Sequence, residues 1–391
     1  MEIQNHQAIG PLTGLRGMAA LWVLFYHAWV LAIPAEITLK IPFGTELSLH
    51  PLISVGWAGV QIFFTLSAFL LTLPYASHNI SQQRPPSTLK FLARRITRVF
   101  PAYYAQLIVL TVLSYIFAGY AFPLSEHIAS LLSMNFLPPP IGDSSLLKFN
   151  GSWWTLPIEL SFYLLVPVIG RFAQLRLLHL VLGVSLGITW AYRLWIIYQP
   201  ELVNGAETLW FSQLPGSADS FGAGMILAVL YTEFQNSGAA WKNRFRQCVA
   251  PLMTLSVALL LGITYWIDKD FLLYRELSWI TFWWTPLFTL ATSTIIFCLA
   301  VMERNPGLMR GLLSKLLMFL GTISYGVYLW HFPIANWLIG TPWFDPHTSY
   351  VFYKLAAMTL LLSIGAGLIS WKLVEQPLIQ RVALMTSSRR S

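Results

Sequence analysis

Two ionisable residues, Arg16 and His27, stand in the apolar segment PLTGLRGMAALWVLFYHAWVLAI. Charged and titratable side chains are rare in such segments, where they mark functional sites. Eleven residues make three helical turns with about 20° left over, so both side chains share one helix face roughly 16 Å apart. A guanidinium suits anion binding and an imidazole suits proton transfer, so the segment predicts a chemical path that crosses a membrane.

Three further titratable residues, Glu159, Asp219 and His331, occur in other apolar segments. Counted from the outer end of each predicted helix, these three and His27 all lie about 6 to 10 Å deep. Such a layer predicts a general-base site in which Glu159 or Asp219 orients His27 and raises its basicity. The alternative is a hydrogen-bond network that only locks the helices together.

A second set of cations, in the segment KFLARRITRVFPAYY, is predicted at the opposite membrane surface. Arg95 and Arg98 are three residues apart and share a helix face, and Arg16 is predicted at a similar depth. Guanidinium groups bind phosphate through paired hydrogen bonds, so these arginines predict a site for a phosphorylated ligand. Lys90 and Arg94 are instead expected to bind lipid headgroups.

Composition places the chain in a membrane. Of its 391 residues, 56% are hydrophobic and only 10% are charged, which excludes a soluble globular protein. About ten apolar stretches are long enough to span a bilayer, and they predict an all-α, polytopic integral membrane helical bundle. The predicted spans are Pro11 to Ile33, Ser54 to Ala76, Val99 to Gly119, Trp154 to Gly170, Leu177 to Tyr198, Pro215 to Tyr231, Cys248 to Ile267, Leu277 to Val301, Leu316 to Leu338 and Tyr350 to Lys372.

Basic residues separate cleanly between the loops on the two sides of the predicted bundle. One side carries 17 of the 24 Lys and Arg residues and the other carries 4. Because Lys and Arg gather in cytoplasmic loops, both termini are predicted to be cytoplasmic. The net charge of +8 is then a membrane signature and requires no nucleic-acid partner.

The predicted spans leave no room for a soluble domain between them. Residues 1–376 are predicted to form one transmembrane domain, and residues 377–391 a short cytoplasmic tail. The longest stretch between spans, Tyr120 to Trp153, is expected on the outer side with one short interfacial helix.

Six motifs, in this order, resemble the signatures of the membrane-bound acyltransferase-3 family. By match, Arg16 and His27 take the family's first motif, Arg95 and Arg98 its Arg-x-x-Arg, and Glu159 its carboxylate. The resemblance implies transfer of an acyl group, most often acetyl, from cytoplasmic acyl-coenzyme A to a hydroxyl of a carbohydrate or lipid-linked sugar acceptor. It also implies a multi-pass protein of the bacterial cytoplasmic (inner) membrane. The motifs are LTGLRGMAALWVLFYH, GVQIFFTLSAFLLT, RRITRVFPAYY, GSWWTLPIELSFYLLVP, ISYGVYLWHFPI and VEQP.

Two features depart from the pattern of that family. The family has Ser-Gly-Phe where this chain reads Ser67-Ala68-Phe69, and the added methyl is expected to narrow either a helix contact or a channel. Many relatives also carry an esterase-fold domain after the bundle, whereas only RVALMTSSRRS follows VEQP here. We therefore expect no relay through an attached domain.

Together these patterns predict one mechanism. The phosphates of coenzyme A bind the three arginines, and the extended pantetheine arm carries the thioester towards His27. His27 acts as general base on the acceptor hydroxyl. An acyl-histidine intermediate is a variant of the same site. The rival classes are a proton-coupled transporter, in which the His and acid layer relays protons, and a scaffold for envelope assembly.

Other polar and aromatic residues have two interpretations each. His331 either positions the acceptor or packs in the core, and Trp153 and Trp154 either stack a sugar at the outer mouth or anchor the interface. Ser67, Ser324 and Tyr325 are of the kind that bonds backbone carbonyls or bridges helices. The scattered histidines lack the spacing of metal ligands, so no metal site is expected.

Overall fold

The computed structural model describes residues 10–32, 37–40, 46–82, 86–118, 150–199, 211, 213–269, 279–302, 311–345, 348 and 350–387. The interfacial helix expected between Tyr120 and Trp153 falls outside these residues.

Apolar helices make up nearly all of the described chain, as its composition predicts. Two short strands, β1 Thr38–Lys40 and β2 Glu46–Ser48, pair in antiparallel fashion after the first helix. The helices are α1 Gly10–Ala32, α2 His50–Ser54, α3 Gly59–Ser81, α4 Thr88–Ala118, α5 Thr155–Ile169, α6 Leu178–Ile197, α7 Ala218–Asn236, α8 Ala239–Lys269, α9 Trp279–Val301, α10 Leu312–Thr322, α11 Ser324–Ile339, α12 Val351–Ser370 and α13 Gln376–Ser387.

The predicted membrane bundle is confirmed. Within the described ranges, 8 helices are long and apolar enough to cross a membrane, or 9 if the bent pair α10 and α11 forms one span. All ten predicted spans fall on helices. The sixth, Pro215 to Tyr231, falls on α7, which is not among the 8 and packs closely against α3. After α12 the chain continues through a π-helical turn, Trp371–Glu375, into α13, which contains the described part of the predicted tail.

The ninth predicted span, Leu316 to Leu338, is divided in two. Helices α10 and α11 meet at Ile323 and are bent by 74°. Gly321 and Ser324 flank the break, and sharp kinks form readily at such Gly and Ser pairs. The Ser324 hydroxyl donates to the Gly321 carbonyl over 2.8 Å. The break brings the first residues of α11 into the bundle interior.

The methyl group of Ala68 faces α7. A Cβ built on Gly224 of α7 would lie 2.5 Å from the Ala68 Cβ and 2.4 Å from the Thr65 carbonyl oxygen. The two helices approach this closely because Gly224 has no side chain. Of the two outcomes expected for this methyl, the structure shows the close helix contact.

The contact between α1 and α10 depends on Gly321, where we expect substitution by alanine to destabilise the protein. A Cβ built there would lie 1.7 Å from the Thr13 carbonyl oxygen, so one backbone must move. Overpacking of this kind costs about 1–3 kcal/mol. Thermal unfolding in detergent should show a lower midpoint for Gly321→Ala. Gly365→Ala, in α12 with nothing within 4 Å of the added Cβ, is the control and should not lower it.

Candidate active site

The two histidines predicted in the outer layer lie against each other. The Nδ1 atom of His27 in α1 is 3.0 Å from Nε2 of His331 in α11. Nδ1 of His331 lies 2.6 Å from the Tyr328 carbonyl oxygen. His331 is completely buried, whereas His27 is half-buried. One imidazole therefore holds the other in a fixed orientation.

Hydrogen bonding assigns the proton positions of this pair. A carbonyl oxygen can only accept, so Nδ1 of neutral His331 carries a hydrogen and its Nε2 carries a lone pair. Nδ1 of His27 must then donate to that Nε2, and it also faces the Val23 carbonyl oxygen at 3.1 Å. Nε2 of His27 consequently has the free lone pair, and it is the basic atom of the site.

The structure gives His27 a different side-chain partner from the predicted Glu159 or Asp219. The partner of His27 is His331, for which the sequence indicated only acceptor positioning or packing. Of the four residues predicted at a common depth, the two histidines are the pair in contact, because depth does not determine the direction in which a side chain points.

A proline explains how His331 is held. Pro333 has no backbone N–H, so the Leu329 carbonyl one turn earlier lacks its helical partner. Two buried side chains donate to that carbonyl instead: Gln106 Nε2 over 2.5 Å and Asn150 Nδ2 over 2.8 Å. The indole of Trp153 donates to Gln106 Oε1 over 2.8 Å. These bonds attach the turn of α11 that contains His331 to α4 and to the segment before α5.

Neither tryptophan predicted to bind the acceptor forms an open stacking surface. Trp153 is buried, with its indole N–H bound to Gln106. Trp154 is half-buried, and its ring lies edge-to-face with Phe64, centroids 6.4 Å apart. Both rings pack within the bundle, so the sugar-stacking role predicted for them is not supported by their positions.

We expect Gln106→Leu to lower both stability and activity. The substitution leaves the buried Trp153 N–H without its acceptor, and an unsatisfied buried group costs about 1–3 kcal/mol. It also removes one of the two side chains that donate to the Leu329 carbonyl, four residues before Pro333. The midpoint of thermal unfolding and the transfer rate should both fall. Gln235→Leu, at an exposed position, is the control and should change neither the midpoint nor the rate. An unchanged transfer rate in Gln106→Leu would contradict the role of Gln106 in holding the turn that contains His331.

The predicted arginine cluster forms at the other end of the site. Arg16 of α1 lies within electrostatic range of Arg95 and Arg98 of α4, and of Glu159 in α5. Among the described residues, Arg16 Nε and Arg95 Nε are buried without a hydrogen-bond partner. Guanidinium N–H donors that lack a partner and lie beside other positive charges are suited to bind an anionic ligand.

Glu159 belongs to this arginine cluster. Its Oε1 atom accepts from the Tyr163 hydroxyl over 2.5 Å and from the Ser67 hydroxyl over 3.1 Å. Its charge acts on Arg16 and Arg95. A single carboxylate thus partly neutralises the guanidinium groups and links α5 to α3.

A cavity of about 50 Å³ lies between the arginines and the histidine pair. Phe63 and Tyr328 are in contact on its wall, with ring centroids 6.0 Å apart, and Tyr328 is 5.5 Å from His331. The cavity therefore ends one aromatic layer from the histidines. Its lining consists of Arg16, Val60, Phe63, Phe64, Ser67, Thr155, Leu156, Glu159, Ser324, Tyr325 and Tyr328.

Three residues of the cavity lining, Ser67, Ser324 and Tyr325, were interpreted from the sequence only as groups that bond backbone carbonyls or bridge helices. Ser324 does bond a backbone carbonyl, and the Tyr325 hydroxyl donates to the Val99 carbonyl over 2.8 Å. Their place on the cavity wall was missed. A usable signal existed in α3, where residues 60, 63, 64 and 67 share one helix face.

Asp219 lies in a separate buried cluster with Arg193. Arg193 donates to the Thr281 and Gly216 carbonyls over 2.5 and 3.1 Å, and its charge acts on Asp219. Oδ1 of Asp219 accepts the backbone N–H of Ser220 over 2.7 Å. Sequence analysis missed Arg193, although a charged residue inside a predicted span was the signal to follow.

A partly buried arginine cluster and a histidine pair within apolar helices define a membrane-embedded protein whose site has a cationic end and an imidazole end. The chain belongs to a known family of such proteins: a family model described as an acyltransferase domain, Acyl_transf_3, matches residues 10–371. The resemblance seen in the motifs is confirmed.

Individual relatives agree with the family. ORF330 of Acidianus two-tailed virus, a proposed acetyltransferase, is 31% identical over 81% of this chain and 80% of its own length. The peptidoglycan O-acetyltransferase OatA of Listeria monocytogenes is 24% identical over 96% of this chain and 56% of OatA. The O-acetyl transferase of Shigella phage Sf6 is 26% identical over 94% of this chain and 95% of that protein.

The chain thus spans little more than half of OatA and nearly all of the phage enzyme. No solved structure matches it. The predictions of an O-acetyltransferase and of a multi-pass bacterial membrane protein are confirmed.

Proposed function

We propose that the protein transfers an acetyl group from cytoplasmic acetyl-coenzyme A to a hydroxyl of a carbohydrate-containing acceptor at the outer face of the bacterial cytoplasmic membrane. One observation carries the proposal: His331 holds His27 with its Nε2 lone pair free. That basic atom belongs to the same helix as Arg16, which joins the arginine cluster.

The donor matches the arginine end in charge and shape. Coenzyme A carries phosphates, which Arg95, Arg98 and Arg16 can bind through charge-assisted hydrogen bonds. Its pantetheine arm is long enough to extend from there through the cavity.

His27 performs the proton transfers. The acceptor hydroxyl loses its proton to Nε2 of His27 as its oxygen attacks the thioester carbonyl carbon. The tetrahedral intermediate collapses, the C–S bond breaks, and His27 returns the proton to the leaving sulfur. The products are an O-acetyl ester and free coenzyme A. Because His331 already accepts the Nδ1 hydrogen, the tautomer with Nε2 basic is present before substrate binds.

The relatives support the acceptor class. OatA is named for peptidoglycan and the phage enzyme for O-acetyl transfer. A carbohydrate chain supplies the hydroxyl groups that the histidine end requires. We therefore take a cell-envelope carbohydrate as the acceptor.

The test is transfer of radiolabelled acetyl groups by the purified full chain in liposomes. With acetyl-coenzyme A and peptidoglycan or other envelope polysaccharide as acceptor, we expect label in the polysaccharide as a base-labile ester. Free coenzyme A should appear in equal amount. A second reaction is run without acceptor and then quenched. Label found on the protein in that reaction would instead favour the acyl-histidine variant.

The rival transporter predicts a different result in the same liposomes. A proton-coupled transporter would move a substrate across the bilayer without releasing coenzyme A. Folded protein that binds acetyl-coenzyme A but neither consumes it nor labels any acceptor would contradict the proposed function.

A further inference from the structure

Aromatic residues near the outer end of α1 lead away from the catalytic base. Tyr26 lies edge-on to His27, with ring centroids 5.0 Å apart, and Trp29 follows at 6.1 Å from Tyr26. Both rings are only partly buried. Tyr26 and Phe332, the latter at 5.2 Å, are the rings that contact His27 at this end, and Trp29 lies one ring further away.

A polar pair continues the line of rings. His50 of α2 lies edge-on to Trp29 at 5.3 Å, and its Nδ1 is 2.9 Å from Oδ1 of Asp268 at the end of α8. The side chains of His50 and Asp268 remain 34% and 18% exposed. A carboxylate, an imidazole and an indole thus share one partly exposed site on the predicted outer side.

We propose that this outer cluster, defined as Tyr26, Trp29, His50 and Asp268, binds a carbohydrate acceptor longer than one sugar ring. The inference rests on the proposed function. A carboxylate accepts hydrogen bonds from neighbouring sugar hydroxyls and an imidazole donates or accepts them. An indole ring packs against the apolar face of a sugar ring, and the Nε1 atom of Trp29 is buried without a hydrogen-bond partner among the described residues. One part of the acceptor then lies at His27, and a sugar further along its chain reaches His50 and Asp268.

Anchoring of α2 does not account for His50. The Ser54 hydroxyl already donates to the same Asp268 oxygen over 2.5 Å. The Trp22 indole donates to the Leu52 carbonyl, also over 2.5 Å, and ties α2 to α1. Helix α2 therefore has two attachments besides His50, which leaves the half-exposed imidazole available to a ligand.

The experiment compares acceptors of different length with the full chain in liposomes. For a polysaccharide acceptor, His50→Ala and Asp268→Asn should each raise KM about tenfold with little change in kcat, as expected for a lost hydrogen bond to a charged group. Trp29→Leu should raise KM about 3- to 10-fold. Transfer to a monosaccharide should change less than threefold in all three variants. Trp337→Leu, at an exposed position of α11, is the matched control and should behave as wild type.

Two results would overturn the subsite. One is an equal loss with polysaccharide and monosaccharide, or weaker acetyl-coenzyme A binding, since either would show a general structural effect. The other is a Ser54→Ala variant that reproduces the KM increase of His50→Ala, which would assign both residues to anchoring α2. Wild-type protein that acetylates no carbohydrate at all would refute the proposed function itself, before any variant is compared.

Discussion

Replacing His27 with alanine should lower kcat for acetyl transfer by about 10²–10⁴-fold, the contribution of a well-placed general base. The substitution removes the Nε2 lone pair that accepts the hydroxyl proton. Binding of acetyl-coenzyme A should remain, because the arginine cluster belongs to the other end of the site. Release of coenzyme A measures the rate, and equilibrium binding of labelled donor measures the affinity.

His331→Ala separates orientation from catalysis. That variant keeps the imidazole of His27 but removes the acceptor of its Nδ1 hydrogen, so the basic tautomer and the ring orientation are no longer fixed. We expect kcat to fall less than in His27→Ala, while KM for the donor stays constant. Full activity in a folded His27→Ala protein would exclude the histidine as the base.

Positions within a single helix were the most predictable part of the site. The separation of Arg16 and His27 depends only on the helical rise, and α1 contains both as predicted. The pairing of Arg95 with Arg98 depends on one turn of α4, and Arg16 does lie near both. Local geometry determines these relations, so the sequence is enough to find them.

Neighbours across helices were less predictable. Glu159 lies in α5 as the sequence predicts, but it points towards the arginines and its partners are Ser67 and Tyr163. Tyr163 is four residues away on the same helix, so that bond was accessible from the sequence. The Ser67 bond joins residues 92 positions apart and depends on how α3 and α5 pack.

The hydrogen bonds to the Leu329 carbonyl, which hold the turn that contains His331, were equally hard to predict from the sequence. Pro333 indicates that the Leu329 carbonyl needs a partner. Nothing local identifies Gln106, which is 223 residues away, as the donor. The fold class, the arginine cluster and the position of His27 were therefore accessible from patterns, whereas the group that orients His27 required the packed structure.

Removing the arginine pair should have the second largest effect. With Arg95→Ala/Arg98→Ala, we expect KM for acetyl-coenzyme A to rise about 100-fold or more, since each hydrogen bond to a charged group contributes about 1.5–3 kcal/mol. The single variants should show smaller increases. Turnover at saturating donor should change little, because His27 and His331 are untouched.

A donor without phosphates makes this prediction specific. Acetyl-pantetheine carries the same thioester and arm but lacks the nucleotide phosphates. If the arginines bind those phosphates, the double variant and the wild type should use acetyl-pantetheine equally well. Arg94→Ala is the control, because Arg94 is exposed on the same helix and is expected to meet lipid headgroups. An equal loss with both donors would show that the arginines maintain the bundle, since removing a phosphate contact cannot affect a donor that has no phosphate.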